Sequence, residues 1–289
     1  MQATRLTFFD ISPAQQIEID SLISGSFFAS YNFMFLWRYM SGKAVYWIVE
    51  ENNEIVAVLP AVEFGVGKLK RMQALSDGCY SSIFTKENAQ AGRYKNELHK
   101  AVLSYGYQKL FIYDYYNSIS KAEGYDILQC QTTLVDVSSP DWQPPDKKLQ
   151  SEIRKAEREN VLVEKFNKEK HFEQFIALMK QTEKRHNRSP KYSDTFFAAL
   201  AELSESDNRI IWNWCEHKGK AVSSHINFIE KNQIINWQVY FDKQFSSLKA
   251  NQKMLFDLAK TARDKNIQYL NLGASPIDTP TLLEYKNKW

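Results

Sequence analysis

The sequence predicts a mixed α/β (α+β) protein in which two similarly ordered units follow one another. Three observations carry this expectation. The 289 residues suit two compact units at about 150 residues each. Ser138–Asp146 (SSPDWQPPD) holds three of the eight prolines, and fixed φ angles with missing N–H groups disfavour both helix and sheet there. Finally, the same order of strands and helices recurs on either side of that seam. The expected division is residues 1–137, a proline-rich linker at 138–148, and residues 149–289.

In the second half, Arg209–Cys215 (RIIWNWC) is rich in β-branched and aromatic residues and reads as a strand. His217–Lys220 supplies a turn, Ala221–Ile229 returns, Lys231-Asn232 turns again, and Gln233–Phe241 (QIINWQVYF) alternates as a third strand. Leu255, Leu258, Ala259 and Ala262 then recur at helical spacing within Asn251–Arg263. Asn266 is placed to end that helix in a left-handed conformation, and Ile267–Leu272 is a closing strand. In the first half the corresponding pieces are Ala44–Val49, a turn at Glu51–Glu54, Ile55–Phe64, a segment around Leu69–Leu75, a helix over Tyr94–Tyr105 ended by Gly106, and a strand over Leu110–Tyr115. Each half is expected to open with helices. In the second these are Leu149–Asn160, with Leu149, Ile153 and Ala156 on one face, a helix carrying Phe172, Phe175, Ile176 and Met179, and one capped by Ser193-Asp194. Each unit is therefore expected to be a mixed, mostly antiparallel sheet flanked by helices.

Composition narrows the function classes. Lys plus Arg number 37 against 34 Asp plus Glu, so any basic site is local rather than global. No stretch supplies the roughly 18–20 apolar residues of a spanning helix, and the start, MQATRLTFFDISPAQQ, shows no basic, apolar leader. Three scattered cysteines (Cys79, Cys130, Cys215) do not form a disulfide framework. A cytoplasmic location is the expectation. Five histidines and three cysteines show no metal-ligand spacing, so no metal is expected, and G-x-S-x-G, P-loop and G-x-G-x-x-G patterns are absent.

Several segments, in order, resemble the FemAB-like, BioF2-like (type 6) acyltransferases of the GNAT superfamily, which carry tandem GNAT domains. They are Phe27–Trp37 (FFASYNFMFLW), Ile55–Pro60, Ile153–Ala156 with Val161–Val163, Met179–Arg185 (MKQTEKR), Tyr240–Phe245 with Leu255 and Leu272-Gly273, and Glu284–Trp289 (EYKNKW). The resemblance implies transfer of an acyl or aminoacyl group to a primary amine, from an acyl-CoA thioester or, alternatively, from aminoacyl-tRNA to a cell-wall precursor; a non-catalytic ligand-binding relative is a third reading. It places the active site in the second unit. It also implies that Lys286 stabilises the oxyanion and that Tyr285 packs against the donor. Coenzyme A enzymes of this fold usually cradle the diphosphate with a glycine-rich loop. The corresponding FSSLKANQ (245–252) has no glycine, so Ser246, Ser247, Lys249 and Asn251 either serve as its donors or form an ordinary capped turn.

On the strand Ala221–Ile229, alternation puts Ser223, His225 and Asn227 on one face. That face either lines a cleft, with His225 as the base, or is a half-exposed polar surface. On the next strand Asn236, Gln238 and Tyr240 share a face. Gln238 is a candidate donor contact, and Tyr240 either returns a proton to the leaving group or simply packs. Lys180–Lys191 holds five basic residues against one Glu. Arg185 and Arg188 there, Arg154 on the helix opening the second half, and Arg38 in the first half are candidates for an anionic acceptor or tRNA phosphate, or else ordinary solvated charges. The expected partners are a small-molecule or peptidic amine.

Overall fold

The computed structural model describes residues 1–75, 78–87, 89–116, 122–129, 131–275 and 280–289, so Cys130 lies outside the described residues. Contacts divide the chain into two compact units, Met1–Gln129 and 130–289.

The first unit runs β1 (Gln2–Thr7), α1 (Pro13–Leu22), α2 (Tyr31–Phe35), β2 (Lys43–Glu51), β3 (Glu54–Phe64), β4 (Arg71–Ala74), β5 (Phe84–Thr85), α3 (Ala91–Ser104) and β6 (Lys109–Ile112). Its sheet is ordered β1-β2-β3-β4-β6, with β5 also beside β3. Alternate residues of β2 are buried on opposite faces. Val45, Trp47 and Val49 pack with Tyr94, Leu98 and Val102 of α3, whereas Tyr46 and Ile48 pack with Ile19 of α1. Both faces are therefore covered by helices. Ser12 and Gln15 form a reciprocal capping box that starts α1, and Gly106 (φ +86°) follows α3.

The second unit runs β7 (Gln131–Asp136), α4 (Lys147–Arg158), β8 (Val163–Lys165), α5 (Lys168–Arg185), α6 (Asp194–Ser206), β9 (Ile210–His217), β10 (Lys220–Glu230), β11 (Gln233–Phe241), α7 (Ala250–Asp264), β12 (Tyr269–Ser275) and α8 (Pro280–Lys286). The sheet order is β7-β12-β11-β10-β9-β8. Asp146, Asn167 and Ser193 cap α4, α5 and α6. As expected, Leu149, Ile153 and Ala156 are the buried face of α4, and Asn266 (φ +55°) ends α7 with the Ile267 N–H bonded to the Ala262 carbonyl at 2.8 Å. The α5/α6 side of the sheet holds an aromatic core in which Phe166 stacks on Trp212 at 4.2 Å and Phe175 meets Trp212 edge-on at 4.9 Å.

The two units share one plan. In the first, antiparallel β2-β3-β4 is followed by α3 and by β6 parallel to β4; in the second, antiparallel β9-β10-β11 is followed by α7 and by β12 parallel to β11. Four expectations need correction. Each unit opens with a strand, β1 and β7, rather than a helix, and both strands lie at sheet edges, where QATRLT and QTTLVD need little apolar surface. Because β7 pairs with β12, the division falls at residues 129/130 rather than at 137. The strand expected over Leu110–Tyr115 is shorter, Lys109–Ile112, and the helix expected over Tyr94–Tyr105 starts earlier, at Ala91.

Candidate active site

The site is built where two parallel strands part. β11 and β12 pair only through Gln233–Ile235 and Tyr269–Asn271, although β11 continues to Phe241 and β12 to Ser275. Both strands are irregular at that point. Against β10, Gln238 faces Ile226 but Asn236 faces Asn227, so Trp237 is an extra residue in β11. On β12 the register breaks between Asn271 and Ala274, around Gly273 at φ +80°. A Cβ added at Gly273 would lie 3.8 Å from the Asn236 carbonyl oxygen and 4.0 Å from Lys286 Nζ. The glycine thus sits between the bulged strand and the lysine.

Lys286, the last residue of α8, is 6% exposed. Its Nζ donates to the carbonyls of Gly273 (2.8 Å) and Ala274 (3.2 Å), and it makes no ion pair with a described residue. Burial pushes its pKa down to about 8. A positive charge held by carbonyl dipoles, at the parted end of two strands, is a donor able to meet developing negative charge. Tyr285 is half-buried beside it, and burial raises its phenol pKa.

A second feature lies at the start of α7. The chain leaves β11 through a short 3₁₀ turn, Lys243–Leu248, and enters α7 from Lys249 in the left-handed conformation (φ +59°), with no side chain capping the first turn. A cavity of about 200 Å³ opens there, lined among others by Ser223, Phe241, Ser246, Lys249, Asn251 and Gln252. Free N–H groups and the positive end of the helix dipole favour an anion at such a place. Ser247 is exposed and is not among the lining residues. Lys249 Nζ pairs with Glu152 of α4 at 2.9 Å, so its charge is already shared.

His225 is buried under this turn, 1% exposed. The Oδ1 of Asn251 accepts from Ser223 Oγ (2.6 Å) and faces His225 Nε2 (3.2 Å), so the histidine carries its proton on Nε2. Nδ1 is buried without a partner among the described residues, and burial lowers the pKa to about 4. The imidazole is neutral at pH 7 and its conjugate acid is too strong for it to be an effective proton acceptor. With both donors on Oδ1, the amide of Asn251 is fixed and its Nδ2 is left for the cavity that Asn251 lines.

The bulge at Trp237 changes the grouping expected for β11. Asn236 joins the His225 face, where its Nδ2 donates to Asn227 Oδ1 at 2.7 Å and Asn227 Nδ2 donates to Asn213 Oδ1 at 3.0 Å. Tyr240 and Gln238 stay on the opposite, α5/α6 side. Tyr240 is 3% exposed, meets Phe175 and Phe197 edge-on at 5.6 and 6.1 Å, and donates to Gln238 Oε1 at 3.3 Å. Burial raises its pKa. Tyr240 therefore belongs to the aromatic core, away from the face that holds His225.

The basic candidates separate as well. Arg185 is a strut: its Nη1 donates to the Phe241 carbonyl at 2.8 Å and its guanidinium lies 4.3 Å from the Phe241 ring, while Thr182 bonds both backbone groups of Phe241. Arg188 is 62% exposed and is anchored by the buried carboxylate of Glu183. Lys180, Lys184, Asn187 and Arg188 line an open cleft of about 440 Å³, in which Lys180 is paired with Asp194 at 2.7 Å. Arg154 is exposed on the outer face of α4. Arg38 belongs to the first unit, where its guanidinium lies 3.7 Å from the Phe35 ring.

Pairing of these basic residues with Glu183 was one of the sequence alternatives, and Arg188 adopts it; sequence reasoning overlooked the Glu152–Lys249 pair and the group Glu164, His171 and Glu216, whose ligand atoms approach one another within 4.8 Å. His171 Nδ1 accepts from the Asn167 N–H at 3.1 Å, so Nε2 carries the proton and faces Glu164 at 3.3 Å. In that tautomer Nε2 has no lone pair to give a metal ion.

Comparison with known proteins agrees with this geometry. Residues 146–287 match the model of the acetyltransferase (GNAT) domain family. No curated protein matches the chain by sequence. Among solved structures, FemX is similar with a TM-score of 0.70 at 11% identity, over 100% of this chain and 94% of that one. A tandem GNAT protein from the clavulanic acid biosynthesis pathway gives 0.56 at 8% identity, over 99% and 94%. L-PGS from Bacillus licheniformis gives 0.56 at 14% identity, over 92% and 77%. No described helix is long and apolar enough to cross a membrane. The second unit thus matches the acetyltransferase (GNAT) domain family over residues 146–287, and the chain carries two GNAT-like folds in tandem, the FemAB-like arrangement that its sequence resembles.

Proposed function

We propose that the second unit transfers an acyl group from an acyl-CoA thioester to a primary amine, and that the gap between β11 and β12 is where the carbonyl lies. The observation that carries this reading is Lys286, a buried amine held, among the described residues, only by two backbone carbonyls at the parted strands. The neutral amine attacks the thioester carbon, and Lys286 donates to the oxyanion that forms. The carbon–sulfur bond then breaks, and the surplus proton on nitrogen leaves with the thiol. The cavity at the start of α7 is the place for the donor's phosphates, with Ser246, the first-turn N–H groups and Asn251 Nδ2 as donors. His225 orients Asn251 and is not the base. Lys184 and Arg188 are the side chains available to an anionic acceptor.

Millimolar acetyl-CoA is expected to raise the unfolding temperature of the chain, and absence of any shift counts against a thioester donor. The Lys184–Arg188 cleft also favours a second reading, aminoacyl-tRNA as donor. Charged tRNA would then bind with strong salt dependence while acetyl-CoA gave no shift.

The pH dependence follows from Lys286. Its cation is present below its pKa of about 8, so turnover with saturating acceptor should fall up to tenfold per unit as pH rises beyond that value. No acid limb near pH 6 is expected, because His225 is neutral throughout that range. For His225, a glutamine retains a donor toward Asn251 and should keep the acetyl-CoA Kd within about threefold, whereas leucine removes it and should weaken binding about tenfold, as expected for loss of one buried hydrogen bond. Equal affinities in the two variants would show that the histidine does not position Asn251.

A further inference from the structure

One end of the first unit's sheet combines exposed apolar side chains with exposed positive charge. The end of β1, the start of β2, the β3–β4 turn and the start of β6 meet there, as the pairs Thr7–Val45, Lys43–Glu63, Phe64–Arg71 and Arg71–Lys109 show. Phe9 is 92% exposed, Val66 81% and Leu69 67%. They project from closed turns. Asp10 N–H bonds the Thr7 carbonyl at 2.9 Å, and the Asp10 carboxylate accepts from Thr7 N–H (3.0 Å) and Oγ1 (2.6 Å). In the second turn Leu69 N–H bonds the Val66 carbonyl at 3.1 Å, and a Cβ on Gly65 would come within 2.7 Å of the Leu69 carbonyl oxygen. Phe8, next to Phe9, turns inward and stacks on Tyr31 and Tyr46 at 4.5 and 5.4 Å. One phenylalanine therefore packs against the core and its neighbour is held outside it.

Around these tips stand Lys43, Lys68, Arg71 and Lys109, all exposed and none in an ion pair with a described residue, together with Lys70 at 3.9 Å from Glu63. Of the acidic residues of these segments, Glu63 is paired with Arg5, and Asp10 remains a single carboxylate, hydrogen-bonded by Thr7, among five cations. Apolar tips set in a ring of lysine and arginine match the interface of an anionic bilayer, where apolar groups enter the headgroup–acyl boundary and cations face lipid phosphates. Val66 and Leu69 argue against a nucleic acid, since an aliphatic side chain offers no π-face for a base to stack on.

We propose that this end of the first unit docks the protein on an anionic phospholipid surface, with Phe9, Val66 and Leu69 as the inserting side chains. The proposal is independent of the acyl-transfer reading. Its test is co-sedimentation of the full chain with phosphatidylcholine vesicles and with vesicles containing phosphatidylglycerol. Binding is expected to be about tenfold or more tighter to the anionic vesicles and to weaken with added salt. Two double variants, Val66→Ser/Leu69→Ser and Lys68→Glu/Arg71→Glu, should each lose about tenfold in that binding while unfolding at the wild-type temperature, since all four side chains are exposed. Equal binding to both vesicle types overturns the proposal. So does a serine variant that binds like the wild type, including the case in which only the charge-reversed variant fails and tRNA competes with the vesicles, which would identify a polyanion site.

Discussion

Lys286→Met is expected to lower the turnover of acyl transfer about 10²–10³-fold, the usual cost of removing one oxyanion donor, while leaving the Kd for acetyl-CoA within a few fold. This division follows from the position of the amine. It lies at the parted strands, hydrogen-bonded to Gly273 and Ala274, whereas the phosphate cavity is lined by residues of β10, β11 and the first turn of α7. Steady-state kinetics together with calorimetric titration of the donor separate the two effects. The same variant should not be less stable than the wild type at pH 7. The folded pKa of Lys286 is lowered to about 8, so between that pH and the ordinary lysine value the unfolded chain binds more protons, and stability rises with pH. At neutral pH the buried charge opposes folding, and methionine removes it while conserving most of the side-chain volume. A large drop in unfolding temperature would mean that Lys286 is a structural tie and not a reserved donor.

The second large effect is expected in the first unit. Arg5→Met should destabilise that unit by about 3–5 kcal/mol, the range for breaking a buried pair from one side. Glu63 is 3% exposed and receives Arg5 Nε and Nη2 at 2.6 Å each, with Tyr107 Oη at 2.5 Å and Lys70 at 3.9 Å. Burial alone raises the pKa of this carboxyl, but the hydrogen bonds from Arg5 and Tyr107 outweigh it and hold the group below the usual carboxylate range. The stability it contributes is therefore present above the ordinary glutamate pKa and is lost as the pH falls through the lower folded value. Without Arg5 the carboxylate stays buried and under-compensated. The double variant Arg5→Met/Glu63→Leu should recover most of the loss. Urea unfolding of the three variants measures this, and an Arg5→Met cost below about 1 kcal/mol would place the pair among ordinary surface ion pairs.

Much of the fold was legible because its core elements carry strong local signals. The β9–β10–β11 meander was visible in the β-branched and aromatic runs with short polar turns, and α7 in the spacing of Leu255, Leu258, Ala259 and Ala262. The edge strands β1 and β7 were not, since a strand paired on one side needs no continuous apolar run. The site was legible at Lys286 only through the C-terminal resemblance; its burial depends on Gly273 and Ala274 of another element. His225 and Tyr240 illustrate what strict alternation misses. One extra residue at Trp237 carries Asn236 to the His225 face and leaves Tyr240 with Phe175 on the other. Lys249 looked like a free phosphate donor because Glu152, which shares its charge, lies 97 residues earlier in the chain.

An acyl group held at the gap between β11 and β12 should be visible in a crystal structure of the chain with a non-hydrolysable acyl-CoA analogue. The acyl carbonyl oxygen is expected within hydrogen-bonding distance of Lys286 Nζ and the diphosphate against the first turn of α7. An analogue bound with its carbonyl remote from Lys286, or phosphates seated away from that turn, would contradict this placement.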